Sequence, residues 1–153
     1  MSELVVGRRD EDHIGIRVMR RSHPHAEDYW DGNWVDSEIQ VDIRPWRATY
    51  PAQLRTEEFS LFRDQLSDMH DETRREASFE PMEPWLRLTL ELDTLGHIAF
   101  TGEAGPEGFG KIFGQVRLNF RLTGVMDQTD LPPIIAELDE VAREFPTKGR
   151  PTD

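Results

Sequence analysis

From Trp85 to Asp93 the chain alternates, with Leu86, Leu88, Leu90 and Leu92 set between Arg87, Thr89, Glu91 and Asp93. A period of two places the leucines on one face of a strand and the polar residues on the other. Asp93-Thr94-Leu95-Gly96 is a turn sequence, and from His97 to Thr101 Ile98 and Phe100 again share a face, which predicts a hairpin. A glycine-rich loop from Gly102 to Gly110 leads to a third run, Lys111 to Thr123. There Ile112, Gly114, Val116, Leu118, Phe120 and Leu122 alternate with Gln115, Arg117, Asn119 and Arg121. The three runs predict an antiparallel meander with one apolar face.

The first half has the same rhythm. Ile14, Ile16 and Val18 alternate, and Ser37, Ile39, Val41 and Ile43 alternate with Glu38, Gln40, Asp42 and Arg44. Pro45 interrupts the second run, so the chain bends there and returns through Trp46, Ala48 and Tyr50. Two stretches carry helical spacing instead. Phe59, Phe62, Leu66 and Met69 recur at intervals of three and four behind Thr56, a candidate N-cap, with Glu57 and Glu58 at the positive end of the helix dipole. This helix is expected to run to about Asp71. Thr129 or Asp130 caps a second helix, with Pro132 and Pro133 in the first turn, where a missing amide hydrogen costs little. Its stripe of Leu131, Ile134, Ile135, Leu138, Val141, Ala142 and Phe145 must be covered, and the leucine-rich face of the meander is the nearest surface. The expected fold is α+β: one antiparallel sheet of about six or more strands, packed by two helices on one side.

At 153 residues, without repeats or a low-complexity linker, the chain reads as a single domain over residues 1–146 with a loose polar tail at 147–153. It has no cysteine, which excludes disulfides, thiolate nucleophiles and sulfur-built zinc sites. The N-terminal apolar run is too short for a signal peptide and no stretch approaches the length of a membrane span, so the expected location is the cytoplasm.

Charge narrows the partners. Thirty acids against 18 bases give a net charge of −12, which repels phosphate backbones and anionic membranes. Glu27, Asp28, Asp31, Asp36, Glu38 and Asp42 follow one another with no base between Glu27 and Asp42, six negative charges uncompensated in sequence. From Asp127 to Glu144 six acids meet only Arg143.

Candidate chemistry is thin. Gly105-Pro106-Glu107-Gly108-Phe109-Gly110-Lys111 has phosphate-loop spacing, but Ile112 stands where magnesium needs a hydroxyl, and a strand follows where a helix should open. His23-Pro24-His25 with Glu27 and Asp28 offers metal-ligand types, yet no further histidine completes a shell, and a polar surface loop explains the run. No Gly-x-Ser-x-Gly occurs, and the carboxylate pairs Glu103 with Glu107 and Asp127 with Asp130 lack a nucleophile. No catalytic residue, metal or cofactor is assigned, and the chain is read as a binder.

Asp28-Tyr29-Trp30-Asp31-Gly32-Asn33-Trp34 stands out, with three aromatics and two acids around a Gly-Asn turn. Its tryptophans either fill the core beneath the turn or serve as exposed anchors, and the two rings can differ. This motif followed by an alternating strand, the Glu57-Glu58-Phe59 helix start, the Leu86-x-Leu88-x-Leu90-x-x-Asp93-x-x-Gly96 hairpin, Asp127-Gln128-Thr129-x-Leu131 and the Phe145-Pro146 end occur in an order that resembles the WapI-type immunity proteins of bacterial polymorphic toxin systems. The likeness spans about Asp28 to Pro146. Trp30, in place of an aliphatic residue, and the long Gly102 to Gly110 loop depart from the pattern. The resemblance implies a protein that binds and blocks the C-terminal toxin domain of a delivered protein, often a nuclease. A nuclease is basic near its groove, so an acidic partner can be steered to it and occlude it. Asp28, Trp30, Asp31, Asp36 and Glu38 are the contact candidates. Two rivals predict other features: a small-molecule or regulatory module needs a closed apolar pocket between helices and sheet, and a structural subunit needs an apolar patch or strand edge buried by self-association.

Overall fold

A computed structural model describes residues 1–106 and 116–152. Strands β1 (Ser2–Gly7), β2 (His13–Arg21), β3 (Trp34–Ile43) and β4 (Trp46–Arg55) form one antiparallel sheet in sequence order. Helix α1 (Thr56–His70) follows, then β5 (Glu76–Phe79), β6 (Leu86–Leu92), β7 (His97–Ala104) and β8 (Leu118–Asp127) form a second antiparallel sheet, also in sequence order. A short 3-10 turn, Gln128–Asp130, leads into α2 (Leu131–Glu144).

The α+β class is as expected, but the strands divide into two four-stranded sheets instead of one sheet of six or more. Pro51 explains part of the break. It lies in the middle of β4 opposite Glu38 and has no amide hydrogen to give a further strand, which confines β4 to a sheet edge. The chain therefore leaves β4 for a helix and starts a new sheet.

The helices also sit differently from the expectation. α1 lies against β5 and α2, and α2 lies against β1, so each helix flanks an edge strand of a different sheet. Phe59, Phe62, Leu66 and Met69 of α1 are buried, with the rings of Phe59 and Phe62 5.4 and 5.6 Å from Phe79 of β5. Leu131, Ile134, Leu138 and Val141 of α2 are buried as well. Both sheets turn their apolar faces to this same core: Leu4, Ile16 and Ile39 from the first, Leu88, Leu90 and Phe100 from the second. Burial of each such side chain stabilises the fold by about 1.5–3 kcal/mol. Tyr50 of β4 ties the sheets directly. Its hydroxyl donates to the Trp85 carbonyl (2.6 Å) and accepts from the Gly105 amide (3.0 Å), and burial pushes the phenol up to about 12.

Local signals met several expectations and shifted others. β3 and β4 turn at Pro45, with Ile43 opposite Trp46, and β6 and β7 pair across the Asp93–Gly96 turn. The third meander run was expected from Lys111 to Thr123; residues 111–115 lie outside the described part, and the described strand continues to Asp127. Gly124, with φ +77°, sits where the register against β7 slips, so it forms a bulge instead of ending the strand. Most of the phosphate-loop look-alike likewise lies outside the described residues.

Candidate partner-binding surface

Residues 22–33 connect β2 to β3 as a compact loop. The Asp28 carboxylate accepts from the Trp30 and Asp31 amides (3.1 and 2.9 Å), and the Gly32 amide donates to the Asp28 carbonyl (2.9 Å). A side chain at position 32 would place its Cβ 2.6 Å from that carbonyl oxygen, so glycine is required. Donation from the Asp31 amide holds the Asp28 carboxyl below its usual range.

Asn33 is fully buried and acts as a junction. Its amide nitrogen donates to the carbonyls of Tyr29 (2.9 Å) and Lys148 (2.8 Å), its side-chain oxygen accepts from the Lys148 amide (2.8 Å), and its carbonyl receives the Thr56 amide (3.0 Å). Thr147 and Lys148, expected in a loose tail, are thus fastened to the loop. The Thr147 hydroxyl meets that of Thr56 (3.0 Å), and Lys148 Nζ donates to the Ala26 carbonyl (2.9 Å) and Glu27 (3.0 Å).

At the centre is Arg55, 1% exposed, immediately before α1. Its guanidinium donates to the carbonyls of Trp30 (2.6 Å) and Tyr29 (2.8 Å) and pairs through Nε with Glu57. It also lies 5.2, 5.4 and 5.0 Å from the ring centroids of Tyr29, Trp30 and Trp34. A desolvated cation over aromatic faces gains up to about 2 kcal/mol per contact, so one buried charge fixes all three rings. Tyr29 and Trp34 are half-buried, while Trp30 stays 49% exposed, its edge 5.0 Å from Tyr29 in a T-shaped pair. The two tryptophans therefore divide the roles that were open in the sequence.

Glu58 completes the corner. Its carboxylate accepts from the Arg55 amide (2.6 Å) and from the Met82 amide, joining the helix start to the β5–β6 connection. Burial pushes this carboxyl up to about 7; the adjacent Glu57 charge adds to the rise, and the two amide donors and Arg55 oppose it.

The acids of 27–42 find bases in space that they lack in sequence. Asp36 binds Arg20 (3.2 Å) and the Ser22 hydroxyl (2.6 Å), Glu38 binds Arg17 (3.4 Å), Asp42 binds Arg47 (3.3 Å), and Glu27 binds Lys148. Antiparallel register is the cause, since it sets Arg17 opposite Glu38, Arg20 opposite Asp36 and Arg47 opposite Asp42. Among the described residues Asp31 alone of the six has neither an ion pair nor a backbone bond to its carboxylate. The second acidic run is matched too: Asp127 and Asp130 by Arg8, Glu137 by Arg9, Asp139 by Arg63. Of the five sequence candidates the structure brings Asp28, Trp30 and Asp31 together on one loop and leaves Asp36 and Glu38 on the outer face of the first sheet.

Sequence reasoning passed over Arg55 and gave Asn33 and Glu58 only local roles, in a turn and at a helix start. A usable signal existed for Arg55: counting outward from the Pro45 turn pairs Trp34 with Arg55 and puts both on the polar face of the hairpin. His23 and His25 are exposed, and among the described residues no group of three histidine or acidic side chains is placed to hold a metal. Among the described residues no helix is long and apolar enough to cross a membrane. A cleft of about 600 Å³ lies between β4 and the β7–β8 end, lined in part by Trp46, Tyr50, Val116 and Leu118; this is not the helix–sheet pocket that a small-molecule module predicts.

Two four-stranded antiparallel sheets, two flanking helices and an aromatic-acidic loop seated on a buried arginine define a small α+β protein. Residues 5–146 match the immunity protein WapI-like family, and the chain belongs to that family. No curated protein and no solved structure matches it.

Proposed function

We propose that this protein is the cytoplasmic immunity partner of a toxin domain, which it binds and neutralises by occlusion, and that the toxin is a basic domain such as a nuclease. Family membership supports the immunity role. The observation that carries the contact assignment is Trp30: an aromatic ring half open to solvent, seated on a buried arginine, beside Asp31, which forms no ion pair among the described residues. Large rigid aromatics in such settings contribute disproportionately to binding because little side-chain entropy is lost. Ion pairing does not remove the protein's net charge of −12, so long-range attraction to a basic partner persists while local docking falls to the acids left free. Asp28, Asp36 and Glu38 belong to the same reading as contributors to the field, with their carboxylates already engaged.

The neighbouring gene tests the role first: if a large toxin-like protein is encoded immediately upstream, co-expression with its C-terminal domain is the decisive assay. Restored growth is expected, and continued killing by that domain overturns it. In purified components the association rate should fall steeply as salt rises, since screening weakens steering.

A further inference from the structure

We infer that the contact surface runs from the Trp30 loop across the first turn of α1 to Leu61 and Met82, and that it fits a partner face of apolar side chains ringed by lysine or arginine. The inference rests on the immunity reading and identifies the part of the surface, and of the partner, that would supply most of the affinity.

Area gives the first argument. A stable protein complex covers about 800 Å² on each partner, contributed by roughly 20–30 residues, so a loop of a few residues around Trp30 must share the contact with its neighbours. The second is continuity. The Trp30 carbonyl binds Arg55, the Arg55 amide binds one Glu58 oxygen, and the other Glu58 oxygen receives the Met82 amide. Leu61 stands three residues beyond Glu58, a spacing that makes neighbours on a helix surface.

Exposure supplies the third. On α1 the core is served by Phe59, Phe62, Leu66 and Met69, yet Leu61 is 61% exposed, and Met82 is 60% exposed on the β5–β6 connection. Apolar side chains gathered at one corner and rimmed by polar groups mark interaction sites, and methionine adapts to irregular partner shapes.

Charge selects the occupant. Asp31, Glu80 and Glu83 are exposed and form no ion pair among the described residues; of the bases at the loop, Arg55 is buried and held by Glu57, and Arg21 is engaged by the Gly32 and Pro146 carbonyls. A partner bringing cations to this rim gains attraction, and an acidic one is repelled.

The test is titration calorimetry and stopped-flow association of the full chain with the toxin domain whose killing it relieves in the co-expression assay. Leu61→Ser and Met82→Ser should each weaken binding about tenfold or more, chiefly through faster dissociation. Glu80→Lys with Glu83→Lys should slow association severalfold. Leu95→Ser, 80% exposed at the β6–β7 turn, serves as the control and should change nothing. If the wild-type chain binds and the Leu61 and Met82 variants stay within twofold of it, the inference fails while the immunity reading stands. If the wild-type chain does not bind at all, both fall. A wild-type dimer that Leu61→Ser dissociates would make a second copy the occupant and would also overturn the inference.

Discussion

The outer face of the first sheet and the corner around Arg55 both combine acids, arginines and exposed surface, yet they use charge in opposite ways. On the sheet, Asp36, Glu38 and Asp42 face Arg20, Arg17 and Arg47 across neighbouring strands, each pair well exposed to water. Such pairs contribute about 0–1 kcal/mol each, and their main effect is to favour one register over its neighbours. At the corner a single arginine is withdrawn from water, and carbonyls, a carboxylate and three rings surround it. There the charge organises a surface that is otherwise apolar and leaves nearby acids free. A run of like charges in the sequence is thus poor evidence for a charged patch, because strand pairing brings in bases from elsewhere.

Four measurements would break or sharpen this contrast. Arg55→Met should cost the most, about 3–5 kcal/mol in denaturant unfolding, because Glu57 loses its partner and two loop carbonyls lose their donors in a buried site. Glu58 comes next. Between the ordinary glutamate range and about 7 the folded protein holds a proton on this group that the unfolded chain has released. Stability should therefore fall as pH rises through that window, by about 3 kcal/mol at most from this residue. Glu58→Gln should flatten that part of a urea-midpoint profile between pH 4.5 and 8. Trp30→Ala should weaken toxin binding by about 2 kcal/mol, roughly 30-fold, in calorimetry and lower stability by up to about 2 kcal/mol through the lost contact with Arg55. Smallest of all, joint replacement of Arg17 and Glu38 by glutamine should alter stability by about 1 kcal/mol or less and leave affinity unchanged.

Much of the fold could be read from periodicity, since half-buried strands and amphipathic helices write their faces into the sequence. The Leu86–Leu92 strand, the turn at Pro45 and both helix stripes are of this kind. β5 was missed because four residues carry too little alternation to register, and β1 because Leu4, Val5 and Val6 form an unbroken apolar run. The division into two sheets depends on where strands stop pairing, a tertiary property that only Pro51 hinted at. Of the candidate surface, the aromatic-acidic loop was visible by composition. The roles of Arg55 and Glu58 were not, beyond the register that sets Arg55 opposite Trp34, because a buried arginine and a carboxyl of raised pKa look like ordinary surface residues until the loop from Asp28 to Trp34 and the residue Met82 are folded over them.

The bonds between Asn33 and Lys148 have a consequence for biosynthesis. They join positions separated by 115 residues, and Thr147 reaches back to Thr56 across 91. A nascent chain still short of Lys148 leaves the buried amide of Asn33 without two of its partners, so the Trp30 loop reaches its finished shape only after residue 148 has left the ribosome.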